Sequence, residues 1–228
     1  MPGQASFLSS HALYDFLAGP ALWFTFIVFL GGLVWRVSGL IAMSRAKDPV
    51  IYNHLSLSWS LKSIFHWVLP LGARSAREQP VFWLTVFAFH LCLLGLPLFL
   101  SAHNILWRES FGWSLFTIND TLADWLTVLV AAAAAFLLLR RLVRAEVRAI
   151  TGLWDYLLLL LTAAPFVTGF LAYHQIGDYR ALLNLHILSA EVILLIAPFS
   201  KLAHMVLFFL TRAHIGSEFG QRRGAPTW

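Results

Sequence analysis

Two histidines, His186 and His204, stand eighteen residues apart in an apolar stretch, ALLNLHILSAEVILLIAPFSKLAHMVLFFLTR, residues 181–212. At about 100° per residue, eighteen residues make five full helical turns. A continuous helix would put both imidazoles on one face, about 27 Å apart along the axis, close to the roughly 30 Å of a bilayer's hydrocarbon core. Polar rings do not enter lipid without partners. The partner that best suits an imidazole held this way is a haem iron, which takes axial ligands from histidine.

The element that must carry them is a membrane helix. The chain has 228 residues, 59% hydrophobic and 12% charged, with mean hydropathy +0.74. That is too apolar for a domain with an ordinary wet surface. The net charge of +5 does not imply nucleic acid, because the basic residues are spread over loops between apolar segments. One cysteine, Cys92, can hold neither an iron–sulfur cluster nor a c-type haem nor a disulfide within the chain. Any such centre belongs to another subunit. No dinucleotide motif is present, which speaks against a hydride or oxygen chemistry of its own.

The expected fold is an all-α membrane protein with five transmembrane helices. A lead, 1–19, has no Lys or Arg and no cleavable leader pattern. The membrane domain is 20–212, with spans at about 20–43, 80–102, 122–139, 152–173 and 181–212. Residues 44–79 hold a stretch too short and polar to span, 55–72, which reads as a helix lying in the membrane interface. Residues 103–121 read as a polar, aromatic loop. Alanines 131–135 permit close helix packing. The tail, 213–228, reads as a mobile polar extension. All sixteen Lys and Arg except Arg108 and Arg180 fall on one side of this layout, which puts the N-terminus outside and the C-terminus in the cytoplasm of a bacterial inner membrane.

Spans two and five would run antiparallel. Depth then pairs His90 with His204 on the inner side and His103 with His186 on the outer side, two bis-histidine sites stacked across the membrane. His90 and His103 are thirteen residues apart, about 140° out of phase on an ideal helix. Either Pro97 corrects the phase or His103 lies beyond the helix end; otherwise His103 is an interfacial histidine. His66 and His174 are the fallback ligands, and His11, His54 and His214 read as surface groups. Lys201 pairs with a haem propionate or snorkels to headgroups. Glu191, in mid-span, handles protons beside a quinone or is a protonated acid bonded across helices. Asp155 suits the N-terminal turn of its helix.

These residues resemble the cytochrome b gamma subunit of respiratory nitrate reductase. The resemblance is tightest at Leu185-His186, Pro198-Phe199-Ser200-Lys201 and His204. It continues through RRLVRAEVRAITGLWDYLLLLL (140–161) and through Phe89-His90 with Leu94-Gly95, covering roughly 20–212. The family places its second ligand of span two ten residues after the first; here that position is Leu100, and the nearest histidine is His103. The long basic loop after span one is more similar to cytochrome b subunits of transmembrane redox complexes in sulfate-reducing bacteria, which join periplasmic multihaem cytochromes c to cytoplasmic iron–sulfur proteins.

The resemblance implies two b-type haems on His90, His103, His186 and His204, menaquinone or menaquinol near the outer one, and a cytoplasmic iron–sulfur subunit docked on the basic face. Depth and chemistry place the quinone near His103, Asn104, Arg108, Tyr173 and His174, with Glu191 nearby. Two other classes stay open: a proton-conducting transporter relaying through His and Glu191, and a membrane anchor without redox chemistry.

Overall fold

A computed structural model describes residues 11–226. Among them every regular element is helical and none is a strand. Five helical stretches are long and apolar enough to cross a membrane: His11–Lys47 (α1), Pro80–Phe99 (α4), Asp120–Val143 (α6), Leu153–Tyr173 (α8) and Tyr179–Phe199. The last consists of α9, Tyr179–Ile196, and a closing 3-10 turn. Shorter helices are α2 (Leu57–Val68), α3 (Arg74–Glu78), α5 (Ser101–Phe111), α7 (Ala145–Arg148) and α10 (His204–Gly216). The first ten residues of the lead and the last two of the tail lie outside the described residues.

The chain forms two compact units. One comprises the residues up to Ala21 together with Thr85–Ile193. Its core is the α6–α8 pair, joined by a short basic connection. Val130, Ala133, Ala134 and Leu137 of α6 and Leu158 and Leu159 of α8 are buried, so the alanine run does provide the close-packing face. The Tyr156 hydroxyl donates to Arg141 O at 3.3 Å. Asp155, in the first turn of α8, accepts from the N–H of the capping residue Gly152 at 3.0 Å.

Two expectations about span two need correction. The helix stops at Phe99, because Leu100 turns to extended backbone (φ −65°, ψ 136°). Residues 103–111, read as loop, belong to a new helix, Ser101–Phe111, ended by Gly112 in the left-handed region (φ 75°) that glycine adopts without penalty. Pro97 brings no N–H to its turn and weakens the helix just before the break. The turn is held by Asn104, whose amide donates to Leu98 O (2.7 Å) and Leu100 O (3.0 Å) while its oxygen accepts from Leu115 N (2.7 Å).

The second unit comprises Leu22–Leu84 and the residues from Leu194 onward. Here too the expectation of one helix over 181–212 fails. Pro198 cannot supply its N–H, and Ser200 is extended (φ −121°, ψ −173°), so the helix ends and α10 restarts at His204. The five-turn phase between His186 and His204 therefore does not hold. Pro198 lies against Gly32 of α1, where a Cβ would come within 2.7 Å of the proline Cβ. Most of the described tail is helical. It continues α10 through a helical turn, Ser217–Arg222, that packs on α2. Gly216 and Gly220 make this possible, since a Cβ at either would meet the backbone or ring of Trp59 at under 3.0 Å.

Candidate functional site

The break after Phe99 resolves the phase problem of span two. It moves His103 onto the first turn of α5, where its ring faces His186 of α9. The two ring centres are 6.1 Å apart and the planes 25° from parallel. A metal between two imidazoles, with each metal–nitrogen bond about 2 Å long, sets the ring centres about 6 Å apart. Both Nδ1 atoms are committed to backbone: His103 to Pro97 O at 3.0 Å, and His186 to Pro165 O at 2.7 Å. A carbonyl only accepts, so Nδ1 carries the proton and Nε2 the lone pair. This is the tautomer a ligating histidine adopts when a second partner fixes its ring.

One acceptor comes from a helix end and the other from within a helix. Pro97 lies in the last turn of α4, where carbonyls lack helical partners. The Pro165 carbonyl, within α8, also accepts from the Thr168 hydroxyl at 3.3 Å. The His186 ring lies over Gly169, and a Cβ there would come within 2.8 Å of Nδ1. Burial holds His103 below the ordinary histidine range, only partly offset by its bond to Pro97 O, which keeps the ring neutral as a ligand must be. Among the described residues no three His, Cys, Asp or Glu side chains group to hold a metal ion. A haem iron asks the protein only for axial ligands, and the facing pair fits that demand.

The chain is 42% identical over 219 residues to a protein of Nitratidesulfovibrio vulgaris (strain Hildenborough), spanning 94% of this chain and 97% of that one. The chain belongs to the same family. That relative's name states no activity. No protein-family model and no solved structure matches the chain.

Family membership thus leaves the chemistry to be read from the remaining site residues. His90, half-buried on α4, directs Nδ1 to Val86 O at 2.8 Å. His204, exposed at the first turn of α10, directs Nδ1 to Lys201 O at 2.9 Å. In the second unit a cavity of about 390 Å³ is lined by His204 with Arg36, Ser200, Lys201, Phe208 and Thr211, among others. Its imidazole, two cations and apolar wall suit the edge of a planar ligand that carries carboxylates. Arg36 joins this wall from α1.

The expected quinone residues separate. Asn104 is fully buried, with its polar atoms engaged in the α4–α5 turn, so it positions His103. Arg108 is exposed and donates to Ser114 Oγ at 3.3 Å. Tyr173 and His174 end α8 together, their rings 5.2 Å apart. His174 Nε2 lies 3.0 Å from Asp124 Oδ1, and the Ser101 hydroxyl donates to Asp120 at 3.0 Å. Asp120 also bonds Tyr173. Neither aspartate was among the expected site residues; Asp120 lies in the first turn of α6 and Asp124 just after it. Glu191 is buried on α9, and among the described residues its Oε1 has no hydrogen-bond partner.

Proposed function

We propose that the chain is a membrane cytochrome b, the subunit that carries electrons through b-type haems in a bacterial respiratory complex. One observation carries this reading: His103 and His186 face each other at 6.1 Å, and each ring is oriented by a backbone carbonyl. His103 and His186 would hold the outer haem, and His90 and His204 are each candidate ligands for an inner one. Bound haem supplies a one-electron iron couple. The residues fix the ligand tautomer, and Arg36 and Lys201 offer positive charge to propionates beside His204.

The charge asymmetry of the loops supports an outer N-terminus and a cytoplasmic C-terminus. Electrons would enter or leave on the outer side through menaquinone or a periplasmic multihaem cytochrome c. They would pass on the inner side to an iron–sulfur subunit on the face of Arg140, Arg141, Arg144 and Arg148. Near the outer pair, Arg108, Tyr173 and His174 provide donors for quinone oxygens, and His174–Asp124 and Glu191 can take protons.

The deciding experiment is a haem count with a redox titration on the purified chain and on His103→Ala and His186→Ala. Two b haems, one lost in each variant, are expected. A chain that binds no haem ends this reading. The buried, unpartnered Oε1 of Glu191 favours one other class, a proton conductor. That class predicts proton flux in haem-free liposomes and its loss in Glu191→Gln.

A further inference from the structure

Helix α2 is turned inside out for a helix in water. Ser56, Ser60 and Ser63, at its start and along one side, face the protein. Ser63 is fully buried and accepts from Arg212 Nε and Nη2 at 3.2 and 3.1 Å. Ser60 donates to Ala213 O at 3.0 Å, and the Ser56 N–H donates to Ser217 Oγ at 3.1 Å. The Arg212 guanidinium also lies 4.5 Å over the Trp67 ring. The opposite side carries Leu57, Leu61, Phe65 and Val68, at helical spacings of four and three. They are 76, 42, 57 and 43% exposed. A solvated helix buries its apolar stripe and exposes its serines. Here the protein has taken the serines, and the leucines need another apolar phase.

We propose that α2 docks on the membrane, with its Leu57–Leu61–Phe65–Val68 face seated in the acyl region of an anionic phospholipid surface. The tether commits the occupant. Spans end at Lys47 and begin at Pro80, so α2 is held at the bilayer by both of its ends. The charges agree. Lys62 flanks the stripe on the helix itself and Arg77 follows on α3, both exposed; Arg74 beside it is paired with Glu78 at 2.9 Å. A cationic rim beside an apolar stripe fits an anionic headgroup layer. Because the serine face grips α10 and its extension, lipid docking would hold at the membrane surface the helix that begins with His204.

The test uses the full-length chain in nanodiscs, with a bimane label on Leu61→Cys in a Cys92→Ala background and, independently, on Phe65→Cys. Acyl-brominated phosphatidylglycerol should quench each label by about twofold or more, and aqueous iodide should leave it nearly unchanged. Replacing phosphatidylglycerol by brominated phosphatidylcholine should reduce the quenching. Strong iodide quenching at both positions would put the face in water and overturn the proposal. Protection from both quenchers would put protein over the stripe, a second copy in this preparation, and overturn it equally. Equal quenching in the two lipids would overturn the anionic preference. No outcome depends on whether the chain binds haem.

Discussion

The imidazole of His186 occupies the space that a side chain at Gly169 would fill: a Cβ there would stand 2.8 Å from Nδ1 and 2.9 Å from Cε1. The Gly169→Ala change should therefore push the ring off the Pro165 carbonyl. Expected results are one b haem per chain in place of two, or a broadened, shifted spectrum for one of them. An unaltered haem count and spectrum would mean that His186 is not a ligand. Serine at 169 should behave like alanine, because the obstacle is the Cβ.

Asn104 supports the turn that presents His103. Asn104→Ala leaves the Leu115 N–H and the carbonyls of Leu98 and Leu100 without their side-chain partner. Each lost hydrogen bond costs about 0.5–1.5 kcal/mol. The variant should melt several degrees lower in detergent and lose the His103-dependent haem more readily than the other. Loss of both haems together would indicate general unfolding.

The spans and the helix-packing alanines were legible because length, hydropathy and residue size act locally. The breaks at Leu100 and Ser200 were only half legible. Pro97 and Pro198 flag a weakness, but which residue leaves the helix depends on contacts distant in sequence: Leu115 for the first break, Gly32 for the second. The pairing of His103 with His186 could be reached by depth alone, and its phase could not, since that required the break. Asp124 and His174 are fifty residues apart and meet only because α6 and α8 pack antiparallel. The helical form of the tail was hidden for a similar reason. Ser217 and Gly220 look like linker residues until Trp59 is against them.

The tail docks through the absence of a side chain. Gly220→Leu would drive carbon into the Trp59 ring, where even a Cβ would come within contact limits. Trypsin should then cut at Arg222 and Arg223 at least several-fold faster than in the parent protein, with haem content preserved. Unchanged cleavage would show that Trp59 yields.

The same turn should be acid-sensitive. Burial works to raise the Glu218 carboxyl, but bonds and charge from Arg222 and Arg223 outweigh it and hold the group below the ordinary glutamate value of 4.5. A depressed carboxyl contributes its stability above the unfolded value and loses it as pH falls through the folded one. Amide exchange across 217–222 should stay slow from neutrality to about pH 5 and accelerate below pH 4.5. Glu218→Gln should remove that pH dependence.

Charge beside His204 sets a fifth expectation, for the inner haem. Arg36→Gln and Lys201→Gln each remove a cation from the cavity wall. Cations favour the reduced, more negative state, so each loss should lower that haem's midpoint by roughly 10–40 mV, given the modest energy of partly solvated charges. A rise, or an equal shift in both haems, would contradict the placement of these side chains.

Gly32 and Pro198 act together as an index mark. The proline fits only where α1 offers no Cβ, and the neighbouring Trp35 and Phe199 rings, 6.1 Å apart, close around that fit. Sliding α1 by one residue would translate it 1.5 Å and rotate it 100°, swinging Arg36 away from Lys201. One turn of missing side chain thus fixes the vernier setting between a cation on the first span and a cation more than 160 residues later.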